Sequence, residues 1–322
     1  AIQTFFTEGK GSYLKGQVSQ ELWDDITHFE GNANAFRLLA HRFKGRRDGG
    51  FVMTYTTLAS IVKYPYESSL AGSHGKFGFF NTEAHTFKKI ADELGILCKS
   101  KPGEPLVYAR HPLVYLVEAA DDICYEIMDI EDSHKLKILS FEKTKELLLG
   151  FFDETIRNSI EQRIIDEGIT DDNEKVIYMR ACAIGKLENV CAHTFIEHEE
   201  DILNGTFQGC LIDHIPEPQH SAYKRCTEVS IQKIYKSKPV LDVELSGFKI
   251  METLMEIMTE AAVHPDRFYS RQLISRVSSQ YDITSPDLET RIMAVIDYIS
   301  GMTDVYALDI YQKINGISLP IV

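Results

Sequence analysis

An all-α fold is predicted by three observations. Apolar residues recur at three- and four-residue spacing through most of the 322-residue chain. Helix-start and helix-stop residues punctuate those runs. Strand signals are confined to one stretch, ILCKSKPGEPLVYAR (96–110), which reads as a hairpin.

The elements follow in order. ELWDDITHFEGNANAFRLLAHRF (21–43) carries a capping-type Asp/Thr start and then apolar residues at three- and four-residue spacing. TYTTLASIVKYPY (54–66) repeats the pattern and stops at Pro65. TEAHTFKKIADELG (82–95) is expected to be capped by Thr82 and closed by Gly95. HPLVYLVEAADDICYEIMDIEDSHKL (111–136) opens with Pro112 at the first helical position. Further amphipathic helices fill 140–205. HIPEPQHSAYKRC (214–226) is the best loop or boundary candidate, and two long helices follow it.

Composition bounds the function. Apolar residues make up 44% and charged residues 25%, as in a folded globular chain rather than a disordered one. The net charge of −14 argues against a broad surface for nucleic acid or anionic membrane. Six cysteines form no CxxC pair and read as reduced core residues of a cytoplasmic protein. No apolar run approaches a membrane span.

The stretch from Glu118 to Asp132 concentrates negative charge: Glu118, Asp121, Asp122, Glu126, Asp129, Glu131 and Asp132, with no Lys or Arg before Lys135. At 100° per residue, Asp121, Tyr125, Asp129 and Asp132 fall within ~80° of one another, with Glu118 on the same face. Like charges one turn apart repel, so the stripe costs helix stability. A solvated acidic face is one reading. The apolar start, LVYLVEAA, favours burial, and buried carboxylates call for a divalent cation or a basic cluster.

The wording of this helix, HPLVYLVEAADDICYEIMDIED, resembles the late core helix of bacterial deoxyguanosine triphosphate triphosphohydrolases, members of the HD-domain phosphohydrolase superfamily. HFEGNANAFRLL (28–39), TYTTLASIVKYPY, KFGFF (76–80) and DYISGMTDVYAL (297–308) resemble that family too, in its order. The resemblance implies an HD-domain-like helical bundle. Residues 1–150 would be the remainder of the catalytic core, and 151–322 a C-terminal helical region that contributes to oligomer contacts. It also implies hydrolysis of a deoxynucleoside triphosphate, dGTP foremost, to the deoxynucleoside and tripolyphosphate, with Mn²⁺ or Mg²⁺ as cofactor. A homo-oligomer, by resemblance a hexamer, is expected, with no membrane partner and nucleic acid at most as an effector.

Residue by residue, the resemblance assigns Asp121 to the metal, Tyr125 to packing against the deoxyribose, and Asp129 to accepting a hydrogen bond from the 3′-hydroxyl. For the phosphates it offers Lys76 of GKFGFF and Lys63 of VKYPY. Arg37 serves either the phosphates or a buried carboxylate, the second being preferred, and Arg110 serves either purpose. His28, Glu30 and Asn32 form a polar cluster at a helix head, where His28 is a phosphate-contact candidate and capping explains the other two. Asp304 and Tyr306 match a family segment, with packing the simpler role.

No His-Asp doublet occurs anywhere in the 322 residues. The resemblance places the first metal-binding His, the His-Asp pair and the His and Glu that assist attack before residue 1, close to the opening AIQTFF. Two expectations follow. Either that part lies outside the sequence given, which the intact Asp121, Tyr125 and Asp129 favour, or the chain is a non-catalytic nucleotide-binding relative. An HD phosphohydrolase acting on another nucleotide is the remaining alternative.

Overall fold

A computed structural model describes residues 1–318. Among them the chain is all-α, with fifteen α-helices and no strand. The 96–110 stretch forms only a hairpin-like pairing: Lys99 N donates to Val107 O at 2.7 Å and Ala109 N to Leu97 O at 2.8 Å, around an isolated Cys98–Tyr108 bridge. No helix of the described residues is long and apolar enough to cross a membrane.

The chain divides into two compact units, Ala1–Arg110 with Val243 onward, and His111–Asp242. Neither unit ends at residue 150, the boundary expected from the resemblance.

In the first unit the helices are α1 (Ile2–Thr7), α2 (Gln20–Thr27), α3 (Gly31–Ala40), α4 (Tyr55–Ser60) and α5 (Asn81–Leu94). The helical stretch 21–43 is divided between α2 and α3. After α2, the His28 ring bonds the Asp24 carbonyl at 2.9 Å. Glu30 then sits extended and its carboxylate accepts from Asn32 N, capping a new helix. His28 therefore lies at the C-terminus of α2, not at a helix head. Helix α5 begins two residues earlier than expected. Its N-cap position is Phe80, with no side-chain cap, so Thr82 is inside the helix, while Gly95 closes it in the left-handed conformation at φ +67°. The α4 stretch is one and a half turns long and stops well short of Pro65.

The core of this unit packs Phe5, Phe6 and Leu14 with Leu254, Met255, Met258 and Ile292. A neighbouring cluster is built on Phe36, Phe79 and Phe87, where Phe79 and Phe87 stack 4.7 Å apart. The Met-rich segment 248–258 thus supplies core through Met255 and Met258.

The second unit is organised by α6 (Pro112–Lys135). His111 caps it through Leu113 N, and Pro112 stands at its start. Then come α7 (Phe141–Leu149), α8 (Glu154–Asp166), α9 (Asp172–Glu197), α10 (Glu199–Leu203) and α11 (Gln219–Val229), which runs into a π-helical turn, Ser230–Ile234. The expected loop 214–226 is mostly α11, preceded by a short break around Pro216 and Pro218. Ile123, Ile127 and Ile130 of α6 pack with Met179, Ala183 and Leu187 of α9 in one core.

The remaining helices are α12 (Lys238–Val263), α13 (Phe268–Ile274), α14 (Leu288–Ser300) and α15 (Asp304–Ile314). Thr303 caps α15, so the long helix expected over the last segment is two. All six cysteines are free, but only Cys191 and Cys226 are buried, and Cys98 and Cys124 are exposed. The expectation of core cysteines holds for two of them.

Candidate functional site

Helix α6 sorts its seven carboxylates by face. Asp121 and Asp132 are exposed, as is Tyr125; Asp122 and Asp129 are half-buried, and Glu118, Glu126 and Glu131 are buried. The acidic face is thus neither wholly solvated nor wholly buried: Glu126 and Glu131 point away from Asp121, while Glu118, on the Asp121 face, is buried nearer the start of the helix. Tyr125, 62% exposed, presents its ring to the outside of this helix.

The inward carboxylates have partners. Glu131 pairs with Lys135 at 2.5 Å and with Arg180 at 2.9 Å. Glu126 accepts from Ser230 Oγ at 2.7 Å and from Thr227 Oγ1 at 2.8 Å. Burial pushes the Glu126 carboxyl above the usual range, and the Ser230 and Thr227 hydroxyls work against that rise. Asp132 lies 3.6 Å from Lys135.

Asp129 has a partner the sequence did not suggest. The Tyr235 hydroxyl donates to Asp129 Oδ2 at 2.7 Å. Burial, that bond and the adjacent Tyr125 hydroxyl together hold Tyr235 protonated far above the ordinary tyrosine range. Asp121, Tyr125 and Asp129 therefore share one side of α6, with Tyr235 beside the last two. Tyr235 is 106 residues from Asp129, so no local pattern pointed to it. Glu126, in contrast, was counted among the seven carboxylates but stands off the face that Asp121 and Asp129 share.

In the first unit, Arg37 is buried and fully engaged. Its Nε and Nη2 donate to Asp297 Oδ1 and Oδ2 at 2.7 and 2.8 Å, and Nη1 donates to Glu83 Oε1 at 2.7 Å and Thr82 Oγ1 at 3.0 Å. His41 Nδ1 also meets Glu83, at 2.9 Å. Burial alone would raise the Glu83 carboxyl, but Arg37 and His41 outweigh it and hold it below the ordinary range. This geometry is that of the buried-carboxylate role rather than of a free phosphate ligand.

Asp25, Arg37, His41 and Asp297 border a cavity of about 250 Å³. Asp25 is 2% exposed; it accepts from Ser68 Oγ at 2.6 Å and from Asn81 N at 3.0 Å. Burial pushes its carboxyl up to about 7 against those two bonds.

Lys76, half-exposed, donates to the buried Glu30 at 2.7 Å. Lys63 is partly buried, with its ammonium 5.8 Å from the centre of the Tyr64 ring. Arg110 is partly buried, and its charge opposes the burial-driven rise of the Tyr66 hydroxyl. Tyr306 meets Tyr298 hydroxyl to hydroxyl at 3.2 Å, a packing contact of α15 on α14. Among the described residues, no three His, Cys, Asp or Glu side chains are grouped to hold a metal ion.

Comparison with known proteins gives four findings. Residues 214–313 match the model of a phosphohydrolase-associated domain. A deoxyguanosinetriphosphate triphosphohydrolase-like protein of Pseudomonas aeruginosa is 31% identical over 330 residues, covering 99% of this chain and 73% of that protein. A like-named protein of Synechocystis is 33% identical over 310 residues, covering 92% and 67%. A deoxyguanosinetriphosphate triphosphohydrolase of Yersinia enterocolitica is 25% identical over 350 residues, covering 94% and 65%.

Proposed function

The chain belongs to the deoxyguanosinetriphosphate triphosphohydrolase family of the HD phosphohydrolase superfamily, and from that premise we propose that it serves metal-dependent hydrolysis of a deoxynucleoside triphosphate, dGTP foremost, to the deoxynucleoside and tripolyphosphate. The observation that carries the reading is the face of α6: a free-facing carboxylate at Asp121, an exposed ring at Tyr125, and Asp129 already oriented by Tyr235 at 2.7 Å.

In this reading Tyr125 packs on the deoxyribose and leaves no room for a 2′-hydroxyl. Asp129 keeps Oδ1 to accept from the 3′-hydroxyl while Oδ2 receives Tyr235. Lys76, Lys63 and Arg110 are proposed for the phosphates. Arg37 is proposed as a positioning residue that neutralises Glu83 and Asp297, and His28 is proposed for phosphate contact only with its Nε2, since Nδ1 is engaged with Asp24. Residues 1–150 would form the catalytic core and 151–322 the region that makes oligomer contacts, in a cytoplasmic protein.

The residues present do not fit a catalytic divalent ion by themselves. One exposed carboxylate, Asp121, is a single donor, whereas such an ion takes six or so ligands, several of them from protein. Mn²⁺ or Mg²⁺ would need Asp121 joined by His and His-Asp ligands from outside these 322 residues. A second reading is a nucleotide-binding module without turnover, a role the Tyr125 and Asp129 face would serve without a metal.

One experiment separates them. Intact protein is incubated with dGTP and Mn²⁺ or Mg²⁺, and the phosphate products are resolved. Tripolyphosphate formation that is lost on chelation supports the first reading. Thermal stabilisation by dGTP without product selects the second, and pyrophosphate as product rejects the triphosphohydrolase assignment.

A further inference from the structure

We propose that Glu126 is a positioning residue for the sugar end of the substrate, acting by holding the π-turn Ser230–Ile234 so that Tyr235 meets Asp129. This rests on the reading of Asp129 given above and adds to it a side chain that touches no substrate.

Tyr235 N bonds to Ser230 O at 3.0 Å, a five-residue step in place of the four-residue step of an α-helix. One extra residue in the turn rotates everything after it by roughly one residue's worth, ~100°. Were 230–235 to continue α11 in α-helical register, Tyr235 would swing off α6 and its hydroxyl would leave Asp129. The π-turn is therefore what gives Tyr235 its aim.

Something must hold a turn of this poorer geometry in place, and Glu126 does. Its two carboxylate oxygens accept from hydroxyls three residues apart, Thr227 in the last turn of α11 and Ser230 at the first position of the π-turn. Glu126 is 5% exposed and Ser230 0%. Breaking either bond leaves a buried polar group without a partner, which makes the latch stiff. Asp129 lies three residues beyond Glu126 on the same helix, so one α6 turn both fixes the π-turn and receives the tyrosine that it carries. Ile234, inside the turn, is buried in the same core and seals it.

The test uses the intact protein with Ser230→Ala, which removes one hydroxyl with little change in volume, alongside Glu126→Ala and Tyr235→Phe. Amide hydrogen exchange over 231–237 is expected to rise at least tenfold in Ser230→Ala and Glu126→Ala. The kcat/KM ratio of dGTP to 2′,3′-dideoxy-GTP is expected to fall at least tenfold in all three variants, because 3′-hydroxyl recognition depends on an oriented Asp129. If Glu126→Ala does not fold, Ser230→Ala decides alone. Unchanged exchange in the turn overturns the latch. Loosened exchange with an unchanged substrate ratio overturns the positioning role while leaving the function reading intact. No hydrolysis of dGTP by the wild type overturns both.

Discussion

Arg37 and Asp297 stand 260 residues apart and are joined by two parallel hydrogen bonds of 2.7 and 2.8 Å with both side chains buried. The third guanidinium nitrogen goes to Glu83, so one cation answers two carboxylates and ties α3, α5 and α14 together. A bidentate arginine is the strong form of such a pair, and its removal strands two buried charges. Arg37→Met should lower unfolding free energy by about 3–5 kcal/mol, and Arg37→Lys by a comparable amount because the fork is lost. Urea unfolding of both variants checks this. A loss under about 1 kcal/mol would show that Glu83 and Asp297 take up protons or water instead.

Asp25 gives a pH dependence of definite sign. Its carboxyl, ordinarily near 3.8, is pushed up to about 7 in the folded chain. The folded state therefore holds a proton that the unfolded state has released between those values. The stabilisation is fully present below pH ~4 and disappears as pH rises through about 7, with a slope of at most about 1.4 kcal/mol per pH unit. Asp25→Asn keeps an acceptor for Asn81 N and cannot ionise. Its stability relative to wild type should climb between pH 5 and pH 7.5, as read by thermal midpoints. A constant difference across that range would contradict the shift.

How much of this was legible in the sequence depends on the range over which each feature is encoded. Helix α6 was, because Pro112 and the apolar period are local signals, and so was the common face of Asp121, Tyr125 and Asp129. The break at 28–30 was legible in part. The apolar spacing continues across it, but Glu30 was read as a cap and does cap α3, whereas the place of His28 at the end of α2 was not foreseen. The hairpin at 96–110 had the right pairing partners but too few bonds to make strands. Tyr235 and Asp297 were invisible for a different reason. Their roles come from side chains more than a hundred residues away, and the π-turn that aims Tyr235 carries no local sequence mark.

Tyr125 bears on sugar discrimination. An exposed tyrosine on the face that also carries Asp121 and Asp129 has little packing work to do within the chain. Tyr125→Ala should therefore leave thermal stability nearly unchanged. The preference for dGTP over GTP should fall by roughly tenfold or more, since shape contacts of this size are worth ~1–3 kcal/mol in selectivity. Parallel kcat/KM measurements with the two nucleotides decide it. Retained selectivity would move the 2′-hydroxyl check to another residue.

Lys76 and Glu30 separate charge from capping. Lys76 reaches Glu30 at 2.7 Å, yet its side chain is 47% exposed while that of Glu30 is 6% exposed, so the ammonium has room for a second anion and the carboxylate does not. Glu30 is also committed to Asn32, through the backbone N–H and through Asn32 Nδ2 at 2.9 Å. If Lys76 meets the triphosphate, Lys76→Ala should lower kcat/KM for dGTP about 10–100-fold, the scale of one lost charge-assisted bond to an ionised group. Glu30→Gln, which keeps one acceptor for the helix cap and weakens the hold on Lys76, should instead act mainly on stability through α3. Kinetics and thermal unfolding of the two variants and of the double variant resolve the two roles. Equal losses of stability with unchanged kinetics would assign Lys76 to holding Glu30 at the start of α3, and the triphosphate would then be met by other cations.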